Sequence, residues 1–326
     1  MPDTTYDLCG IGNAIVDVVA TVDEAFLSKH NMRKRGMALI SAADADWLYE
    51  AMPGGQESSG GSAANTCAVA AGLGARVAFL GKVSDDALGH TFRRDIVAAG
   101  VYFPTPALAE GAATARCLIA VTPDGERTMN TYLGACVTFG PQDLDEAVIA
   151  ASAVTYLEGY LYDPDQAKAA FMRAAHVAHG AGQRVALTLS DAFCVDRHRA
   201  AFRALVAGHV DILFANEAEV CSLYEENTFE AAARHAGRDV ALAVLTRSAD
   251  GSVILSGDER IEVVAAPARV VDTTGAGDAY AAGFLAGLAK GQGLSACGAL
   301  GSRAAAAVIG ALGGRPRVDL AAMAGS

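Results

Sequence analysis

The sequence is poor in basic residues and has no recognisable cysteine-based metal or disulfide pattern. It contains 25 Lys and Arg against 37 Asp and Glu, a net charge of -12. This balance argues against a protein that grips nucleic acid phosphates, because such binding needs clustered positive charge. The seven cysteines are scattered, odd in number and never spaced as C-x-x-C, so we expect free thiols rather than disulfides or a zinc site.

Long apolar runs and several nucleotide-binding motifs are also missing. No run approaches the roughly 18 apolar residues of a membrane helix, and the first ten residues carry acid and no apolar segment, unlike a secretory signal. We therefore expect a cytoplasmic protein that binds neither membrane nor nucleic acid. The chain has no G-x-x-x-x-G-K-[ST] and no H-R-D with D-F-G, which excludes P-loop and protein-kinase mechanisms at the level of motifs.

What the sequence does contain is a regular alternation of short apolar runs and Ala-rich stretches. Its 326 residues are 52% hydrophobic, which is ample for a buried core. The runs are often followed by Gly, Asn or Asp and then by helical spacing, as in 166–181. This alternation predicts an α/β fold with a parallel sheet and helices on both faces. The predicted strands are 6–11, 76–80, 118–121, 153–157, 184–189, 212–215, 241–246 and 252–255.

Two segments depart from this alternation. Residues 16–40 are polar and strand-like with turns, and residues 113–135 form a predicted hairpin folded at Pro123-Asp124-Gly125. Both predict a small sheet that projects from the main body. Since no linker divides the chain, we expect a single domain over 1–326 that carries these two segments.

The stretch VVDTTGAGDAYAAGFL combines two acids with a glycine loop. A strand-loop-helix with Gly275, Ala276 and Gly277 at the turn would point backbone N–H groups at an anion at the helix N-terminus. Asp278 would lie in the first helical turn beside that anion, although a capping role is the alternative for an isolated G-x-G-D. Asp272 precedes the loop, where it can order the loop or approach a cation.

This stretch resembles the second signature of the pfkB carbohydrate kinase family, which includes ribokinase and adenosine kinase. The resemblance implies a ribokinase-like three-layer α/β/α sandwich, with a mostly parallel central sheet and a small β-sheet lid over the acceptor site. It also implies that Asp278 is the base for the acceptor hydroxyl, and that the amides of Gly275, Ala276 and Gly277 stabilise the transferring phosphoryl group. Such a base typically contributes about 10²- to 10⁴-fold in rate.

Two further motifs match the family's acceptor side. SSGGSAANTCAVAAGLG resembles the first signature, in which Gly60, Gly61 and Asn65 would approach the acceptor's sugar; a glycine turn before an Ala-rich helix is the structural alternative. GIGNAIVDVVA resembles the opening strand, where Asp17 would contact sugar hydroxyls with Asn13 nearby. A carboxylate suits that role because it can accept two hydroxyl hydrogen bonds.

The nucleotide side is matched by two motifs between 210 and 255. FANEAEV carries an N-x-x-E, so Asn216 and Glu219 would hold Mg²⁺ and phosphate, partly through water, although a surface helix start gives the same letters. VLTRSADGSVI resembles the nucleotide-binding strand and turn, with Thr246 and Gly251 at the matching positions. Ser248 departs from the glycine of many members.

Three other positions are assigned by the resemblance alone. Ala305, in SRAAAAVIGALGG, would leave room for the adenine of ATP, although an Ala-rich core helix explains the same residues. Arg127 matches a lid-side arginine that can reach the phosphates, the alternative being an exposed turn arginine. Many family members bind K⁺ near this loop, so Asp272 and Thr274 mark a candidate potassium site.

The motifs occur in the family's order over 6–314 and imply an ATP-dependent kinase that phosphorylates a primary hydroxyl. G-G-S-A-A-N-T is closer to adenosine kinases than to the G-G-K-G-A-N of ribokinase. LSDAFCVDRHR resembles the L-S-x-x-F segment of adenosine kinase-like proteins, which implies that Phe193 lies near the base pocket. We therefore expect a nucleoside acceptor, adenosine, with AMP as product. A sugar kinase for ribose, fructose or a keto-deoxy sugar acid is the alternative.

A non-catalytic nucleoside or nucleotide sensor is the alternative from another class, against which Asp278 argues because a binder needs no base. The expected ligands are ATP, Mg²⁺, the small-molecule acceptor and, through the candidate site, K⁺. Monomer and homodimer both stay open, since a lid sheet can pair between subunits or remain solitary.

Overall fold

The computed structural model describes residues 4–311, 313–315 and 320–325. The strands are β1 (Tyr6–Ile11), β2 (Ile15–Thr21), β3 (Met37–Leu39), β4 (Gln56–Gly60), β5 (Val77–Leu80), β6 (Val101–Tyr102), β7 (Ala115–Val121), β8 (Arg127–Tyr132), β9 (Ser152–Glu158), β10 (Arg184–Thr188), β11 (Ile212–Asn216), β12 (Leu242–Thr246), β13 (Ser252–Ser256) and β14 (Glu259–Val263). The α-helices are α1 (Glu24–Lys29), α2 (Ala42–Ala51), α3 (Ser62–Gly72), α4 (Ala87–Ala98), α5 (Glu146–Ala150), α6 (Asp165–Gly180), α7 (Ala192–His209), α8 (Glu217–Tyr224), α9 (Phe229–Asp239), α10 (Ala276–Ala289) and α11 (Leu294–Ile309).

The main sheet has the strand order β14-β13-β12-β11-β10-β9-β1-β5-β6. Strands β6 to β12 along this order pair in parallel, whereas β13 and β14 pair antiparallel at one edge. Successive residues of one strand enter different cores: Val244 packs with α10 and α11, and Leu245 packs with the helices of the opposite face. A parallel sheet buried on both faces reads as continuous apolar runs, which is why the sequence predicted β1, β5 and β9 to β13. It did not predict β6 and β14, and the predicted strand 118–121 belongs to β7, outside this sheet. The predicted three-layer α/β/α sandwich is confirmed.

The strand order has a switch point between β1 and β9, and we call the region beyond the carboxyl ends of these two strands the crevice. Strand β1 lies between β5, which follows it on one side, and β9, which is reached much later in the chain on the other. The connections therefore leave in opposite directions, and ligands of open α/β sheets bind at such a switch point beyond the carboxyl ends of the strands. Asn13 follows β1 and Glu158 ends β9, so both lie at this crevice.

The second sheet has the order β3-β8-β7-β2-β4. Strands β7 and β8 form the predicted hairpin, with Gly125 at φ +83° in its turn. The interval 16–40 also contains the short helix α1, and β4 joins the same sheet. The sequence QESSG has little strand propensity, so the pairing of β4 with β2 depends on tertiary context that the pattern does not carry. The division of the chain into domains stays a prediction.

Among the described helices, none is both long enough and apolar enough to cross a bilayer.

Helices α10 and α11 pack closely enough to require glycine. A Cβ on Gly283 would lie 2.7 Å from the Gly301 Cα and 2.7 Å from the Leu300 carbonyl oxygen, both of which are backbone atoms. Because backbone cannot rotate away as a side chain can, the two helices would have to separate. This contact matters for the site, since α10 carries the glycine loop at its N-terminus.

We expect Gly283→Ala to lower the free energy of unfolding by about 1–3 kcal/mol through overpacking. Urea unfolding monitored by circular dichroism measures the change. Gly208→Ala is the matched control, because Gly208 lies within α7 and none of the described atoms comes within 4 Å of an added Cβ. It should instead gain about 0.4–1 kcal/mol from the reduced entropy of the unfolded chain, and equal losses at both positions would contradict the packing argument.

Candidate active site

The glycine loop ends at the N-terminus of α10. Gly275 has φ +76°, and no side chain of the described ranges caps the helix. The N–H of Ala276 donates to the Thr273 carbonyl oxygen (3.2 Å). The other first N–H groups of a helix have no intrahelical partner, so those of Gly277 and Asp278 are available to an anion, and the predicted role of the Gly275, Ala276 and Gly277 amides stays a prediction. A Cβ on Gly275 would lie 2.7 Å from the Gly314 Cα. Glycine is therefore required here both for its backbone angle and for the close approach of another chain segment.

Asp278, the predicted base, faces α3 across the crevice. The Ser62 hydroxyl donates a hydrogen bond of 2.6 Å to the Asp278 carboxylate. Burial raises the pKa of Asp278 to about 6, against the lowering effect of hydrogen bonds from Ser62 and Asn65, and the charge of Asp17 raises it further. A carboxylate with this pKa is mostly ionised at neutral pH. Because its pKa lies near the working pH, it can also accept a proton during the reaction.

Glu158, which the sequence analysis did not single out, organises the crevice. Its side chain is 1% exposed. One oxygen accepts hydrogen bonds from the backbone N–H of Asn13 (3.2 Å) and from Asn13 Nδ2 (2.8 Å), and the other accepts from the N–H of Ala63 (2.7 Å). Burial raises the pKa of Glu158 to about 7, although these hydrogen bonds lower it. The only signal in the sequence is a lone acid at the end of the apolar run VTYLE.

The predicted acceptor-side residues lie together. Asp17 on β2 pairs in register with Ser58 of β4, next to the first-signature glycines. A Cβ on Gly60 would collide with the Asp17 carboxylate, and one on Gly61, where φ is +95°, would collide with the Asn13 carbonyl oxygen. Burial raises the pKa of Asp17 to about 6, while Arg315 and Arg127 lower it.

The face of the small sheet that carries Asp17 is otherwise mostly apolar. Asp17 and Cys117 are register partners on β2 and β7, so their side chains share a face. The same register places six apolar residues around or beyond Asp17 on that face: Ile15, Val19, Cys117, Ile119, Val121 and Met129. We call this set the apolar wall.

Arg127 also lies on this face, opposite Val121, and connects the small sheet to the glycine loop. Its Nη1 donates to the Asp272 carboxylate and to Thr274 Oγ1 (3.0 Å). Asp272 further accepts from the N–H groups of Thr274 (3.0 Å) and Gly313 (2.9 Å). Burial would raise the pKa of Asp272, but these hydrogen bonds and the Arg127 charge lower it below its usual value. Arg127 is thus a buried partner of the loop rather than an exposed turn arginine.

On the nucleotide side, Asn216 and Thr246 are register partners at the carboxyl ends of β11 and β12. Asn216 and Glu219 form a reciprocal capping box on α8: the N–H of Glu219 donates to Asn216 Oδ1 (2.9 Å), and Asn216 N and Nδ2 donate to Glu219 (3.0 and 2.5 Å). Burial raises the pKa of Glu219 to about 7. Within the described ranges, no three His, Cys, Asp or Glu side chains are grouped as a metal site.

Ser248 has a left-handed backbone in the β12–β13 turn. Ser248 has φ +50° and Gly251 has φ +83°. A left-handed backbone favours glycine, which explains in physical terms why glycine would suit position 248. A Cβ on Gly251 would in addition meet the Val263 carbonyl oxygen.

Two predicted residues make contacts that do not tie them to the crevice. Phe193, in the first turn of α7, is 65% exposed, and the Arg197 guanidinium lies 4.5 Å from its ring centroid. Ala305 lies on α11, partly buried against the apolar core. Their roles near a base and near adenine stay predictions.

An uncapped helix N-terminus for an anion, beside a carboxylate suited to accept a proton, fits a phosphotransferase that acts on a hydroxyl group. A comparison with protein families supports this class of enzyme. The model of the pfkB family carbohydrate kinase matches residues 42–319, and the chain belongs to this family. It is a nucleoside or sugar kinase, and the family uses ATP, generally with Mg²⁺.

Individual relatives span both substrate classes. The structure of adenosine kinase from Sinorhizobium meliloti has a TM-score of 0.90 and 52% identity, covering 98% of each chain. That of a probable sugar kinase from Rhizobium etli CFN 42 has a TM-score of 0.91 and 47% identity, covering 99% of this chain and 98% of the other. An ATP-dependent ribose-1-phosphate kinase of Halopiger xanaduensis is 33% identical over 71% of this chain and 73% of its own length.

The raised pKa of Glu158 predicts a pH-dependent contribution to stability. Between its unfolded value near 4.5 and its folded value of about 7, the folded state binds a proton that the unfolded state has lost. The stability that Glu158 contributes therefore falls as pH rises through this range. We expect the difference in unfolding free energy between the wild type and Glu158→Gln to fall from pH 4.5 to 7 and to level off above.

Urea unfolding at half-unit pH steps measures this difference. Glu50→Gln makes the same chemical change at an exposed position of α2 and serves as the matched control. A wild-type minus Glu158→Gln difference that rises with pH would overturn the assigned direction.

Proposed function

We propose that this protein is an ATP-dependent nucleoside kinase that converts adenosine to AMP. The observation that carries the choice of acceptor is the apolar wall beside Asp17. A nucleoside offers hydroxyls for Asp17 and Asp278 together with a flat, largely apolar base that can cover the wall. Three members of the wall, Ile15, Val19 and Met129, are only partly buried, and a free sugar, which carries hydroxyls on most sides, would leave them unmatched. The adenosine kinase at 52% identity supports the same choice.

In the proposed reaction, Asp278 accepts the proton of the acceptor's primary hydroxyl as its oxygen attacks the γ-phosphorus of ATP. A new P–O bond forms, the bond to the β-phosphate oxygen breaks, and ADP leaves with that electron pair. The amides after Gly275 stabilise the charge on the transferring phosphoryl group. Ser62, which donates a hydrogen bond to Asp278, orients its carboxylate toward the acceptor.

The capping pair Asn216 and Glu219 suits an indirect role with Mg²⁺. Both carboxylate oxygens of Glu219 already accept hydrogen bonds from Asn216, so contact through water preserves the cap, and Mg²⁺ commonly keeps several waters. Bound there, Mg²⁺ would neutralise phosphate charge. For K⁺, the Asp272 carboxylate is occupied by Arg127 and two N–H groups, so backbone carbonyls near Asp272 and Thr274 are the proposed ligands.

The small sheet acts as a lid in this proposal. Arg127 ties it to the glycine loop, and Asp17 brings a hydroxyl-binding carboxylate from the same sheet. Binding of both substrates beneath it would exclude water from the phosphoryl group and limit ATP hydrolysis.

A sugar acceptor is the second candidate, favoured by the 47% identity to a probable sugar kinase. A coupled assay of ADP formation over adenosine, other nucleosides, ribose, fructose and a keto-deoxy sugar acid separates the two. We expect kcat/KM to be highest for adenosine. Turnover of a sugar with none of adenosine would exclude the nucleoside assignment.

Asp278→Asn tests the base and separates a kinase from a non-catalytic sensor. We expect kcat to fall by about 10²- to 10⁴-fold, while calorimetry still detects acceptor binding. In the wild type, kcat should decline as pH falls through about 6, because protonated Asp278 cannot accept the hydroxyl proton.

The matched control for this test is Asp258→Asn, which changes an exposed acid in the turn between β13 and β14 and should leave kcat unchanged. Unaltered turnover in Asp278→Asn would refute the role of Asp278. Binding of adenosine by the wild type without any turnover would favour the sensor.

A further inference from the structure

A hydrogen bond between two buried hydroxyl groups joins α10 to the start of β13. Ser252 Oγ and Tyr280 Oη lie 2.6 Å apart, and the two residues are 2% and 5% exposed. Tyr280 follows the predicted base in the stretch VVDTTGAGDAYAAGFL, yet no motif assigns a role to its hydroxyl group. That role follows from the two elements that the bond connects.

The ring of Tyr280 is held in place by α11 and by the antiparallel edge of the main sheet. A Cβ on Gly301 would lie 3.2 Å from Tyr280 Cε1, and one on Gly298 would lie 3.3 Å from Tyr280 Oη. The Cβ on Gly298 would also lie 2.7 Å from Val263 Cγ2. Two glycines of α11 thus make room for the ring beside β14. Close packing of this kind fixes the ring and, with it, the position of the hydroxyl group.

Ser252 lies at the end of the β12–β13 turn. It is the first residue of β13 and the register partner of Thr246, which ends β12. Within the turn, the N–H of Arg247 donates to the Gly251 carbonyl oxygen (2.8 Å). Thr246 therefore lies opposite Ser252 across the two strands, and Gly251 immediately precedes it. A displacement of Ser252 would move both residues that are predicted to bind the nucleotide.

At its other end, the hydrogen bond reaches the helix of the anion site. Tyr280 lies two residues after Asp278, and residues two apart on a helix point to different sides. Asp278 accordingly faces α3, whereas Tyr280 faces β13. The hydrogen bond between Ser252 and Tyr280 thus sets the distance between the β12–β13 turn and the uncapped N-terminus of α10.

We propose that Tyr280 is a positioning residue for ATP, whose hydroxyl group holds the β12–β13 turn at a fixed distance from the N-terminus of α10. A nucleotide bound at the turn with its terminal phosphate at α10 has to contact both elements at once. Elements already held at the correct distance need no ordering when the nucleotide binds, which favours affinity. This inference rests on the proposed nucleotide-binding role of Thr246 and Gly251, and it is independent of which acceptor the enzyme uses.

The arrangement predicts that the hydrogen bond affects nucleotide binding more than the rate at saturation. Phenylalanine would fill the same space as Tyr280 but would leave the Ser252 hydroxyl without this partner, and the turn would be free to move relative to α10. Bound ATP contacts both elements and would restore their distance. We therefore expect a weaker affinity for ATP, with little change in kcat once the enzyme is saturated.

The test measures binding of the non-hydrolysable ATP analogue AMP-PNP with Mg²⁺ by calorimetry, without an acceptor. We expect Kd to rise by about 3- to 10-fold in Tyr280→Phe, the range for one lost hydrogen bond. Ser252→Ala should give the same rise, and the double variant should be no worse than either single variant, because each change removes the same bond. In the ADP assay, KM for ATP should rise by the same factor, while kcat and KM for the acceptor stay within about 2-fold.

Tyr224→Phe is the matched control. Tyr224 is 6% exposed, and its hydroxyl group donates a hydrogen bond of 2.9 Å to the Asp239 carboxylate. This variant also loses one buried hydrogen bond, but that bond joins the ends of α8 and α9 rather than the turn and α10. It should lower the melting temperature as Tyr280→Phe does, while Kd for AMP-PNP stays unchanged.

The outcomes separate this inference from the proposed acceptor. An unchanged Kd in Tyr280→Phe and Ser252→Ala, or equal increases in Tyr280→Phe and Tyr224→Phe, would overturn the positioning role and leave the kinase reaction as it stands. A fall in kcat with an unchanged KM for ATP would overturn it as well. A rise in Kd confined to the variants of Ser252 and Tyr280 would support it, even where the wild type phosphorylates a sugar and the adenosine assignment falls.

Discussion

Three N–H groups that converge on the buried carboxylate of Glu158 hold the crevice in shape. The bonds from Asn13 fix the end of β1, and the bond from Ala63 fixes the first turn of α3. The bond to Ala63 also affects the predicted base, because Ser62, the neighbour of Ala63, donates a hydrogen bond to Asp278. A single carboxylate at the end of β9 thereby joins the switch point of the sheet to the side chain expected to take a proton. Its burial is tolerated because each oxygen is hydrogen-bonded.

A second constraint links the small sheet to the helix that bears the glycine loop. Arg127 leaves β8 and meets Asp272, whose oxygens also order the loop through Thr274 and Gly313. The position of the small sheet and the geometry of the anion site are therefore coupled through one side chain. Movement of the sheet would release Arg127 from Asp272, and an anionic ligand near α10 would compete for the same guanidinium. The apolar wall would move with it, because it lies on the same strands.

Sequence patterns were most informative where local residues decide the structure. Strands buried on both faces appear as apolar runs, and Pro123-Asp124-Gly125 specifies a turn without help from the rest of the chain. The family resemblance, rather than any spacing, suggested roles for Asp17 and Asp278. The sequence analysis did not identify Glu158 or Arg315, because each is a single polar residue outside any motif. Their contacts come from residues distant in sequence. Strand β4 escaped for the same reason, since QESSG becomes a strand only through its partner β2.

The distribution of charge explains how one crevice can suit both an anionic and a neutral substrate. Asp17, Asp278 and Glu158 all have raised pKa values, so each is held where its charge is costly. A triphosphate approaching these carboxylates would be repelled, but the helix N-terminus of α10 offers N–H groups on its own side of Asp278. Beyond Asp278, the buried carboxylates of Asp17 and Glu158 disfavour a second anion, although the charges of Arg315 and Arg127 lower the pKa of Asp17. In the proposed kinase, this order of charge would direct phosphate to one end and a neutral acceptor to the other, with Asp278 between them.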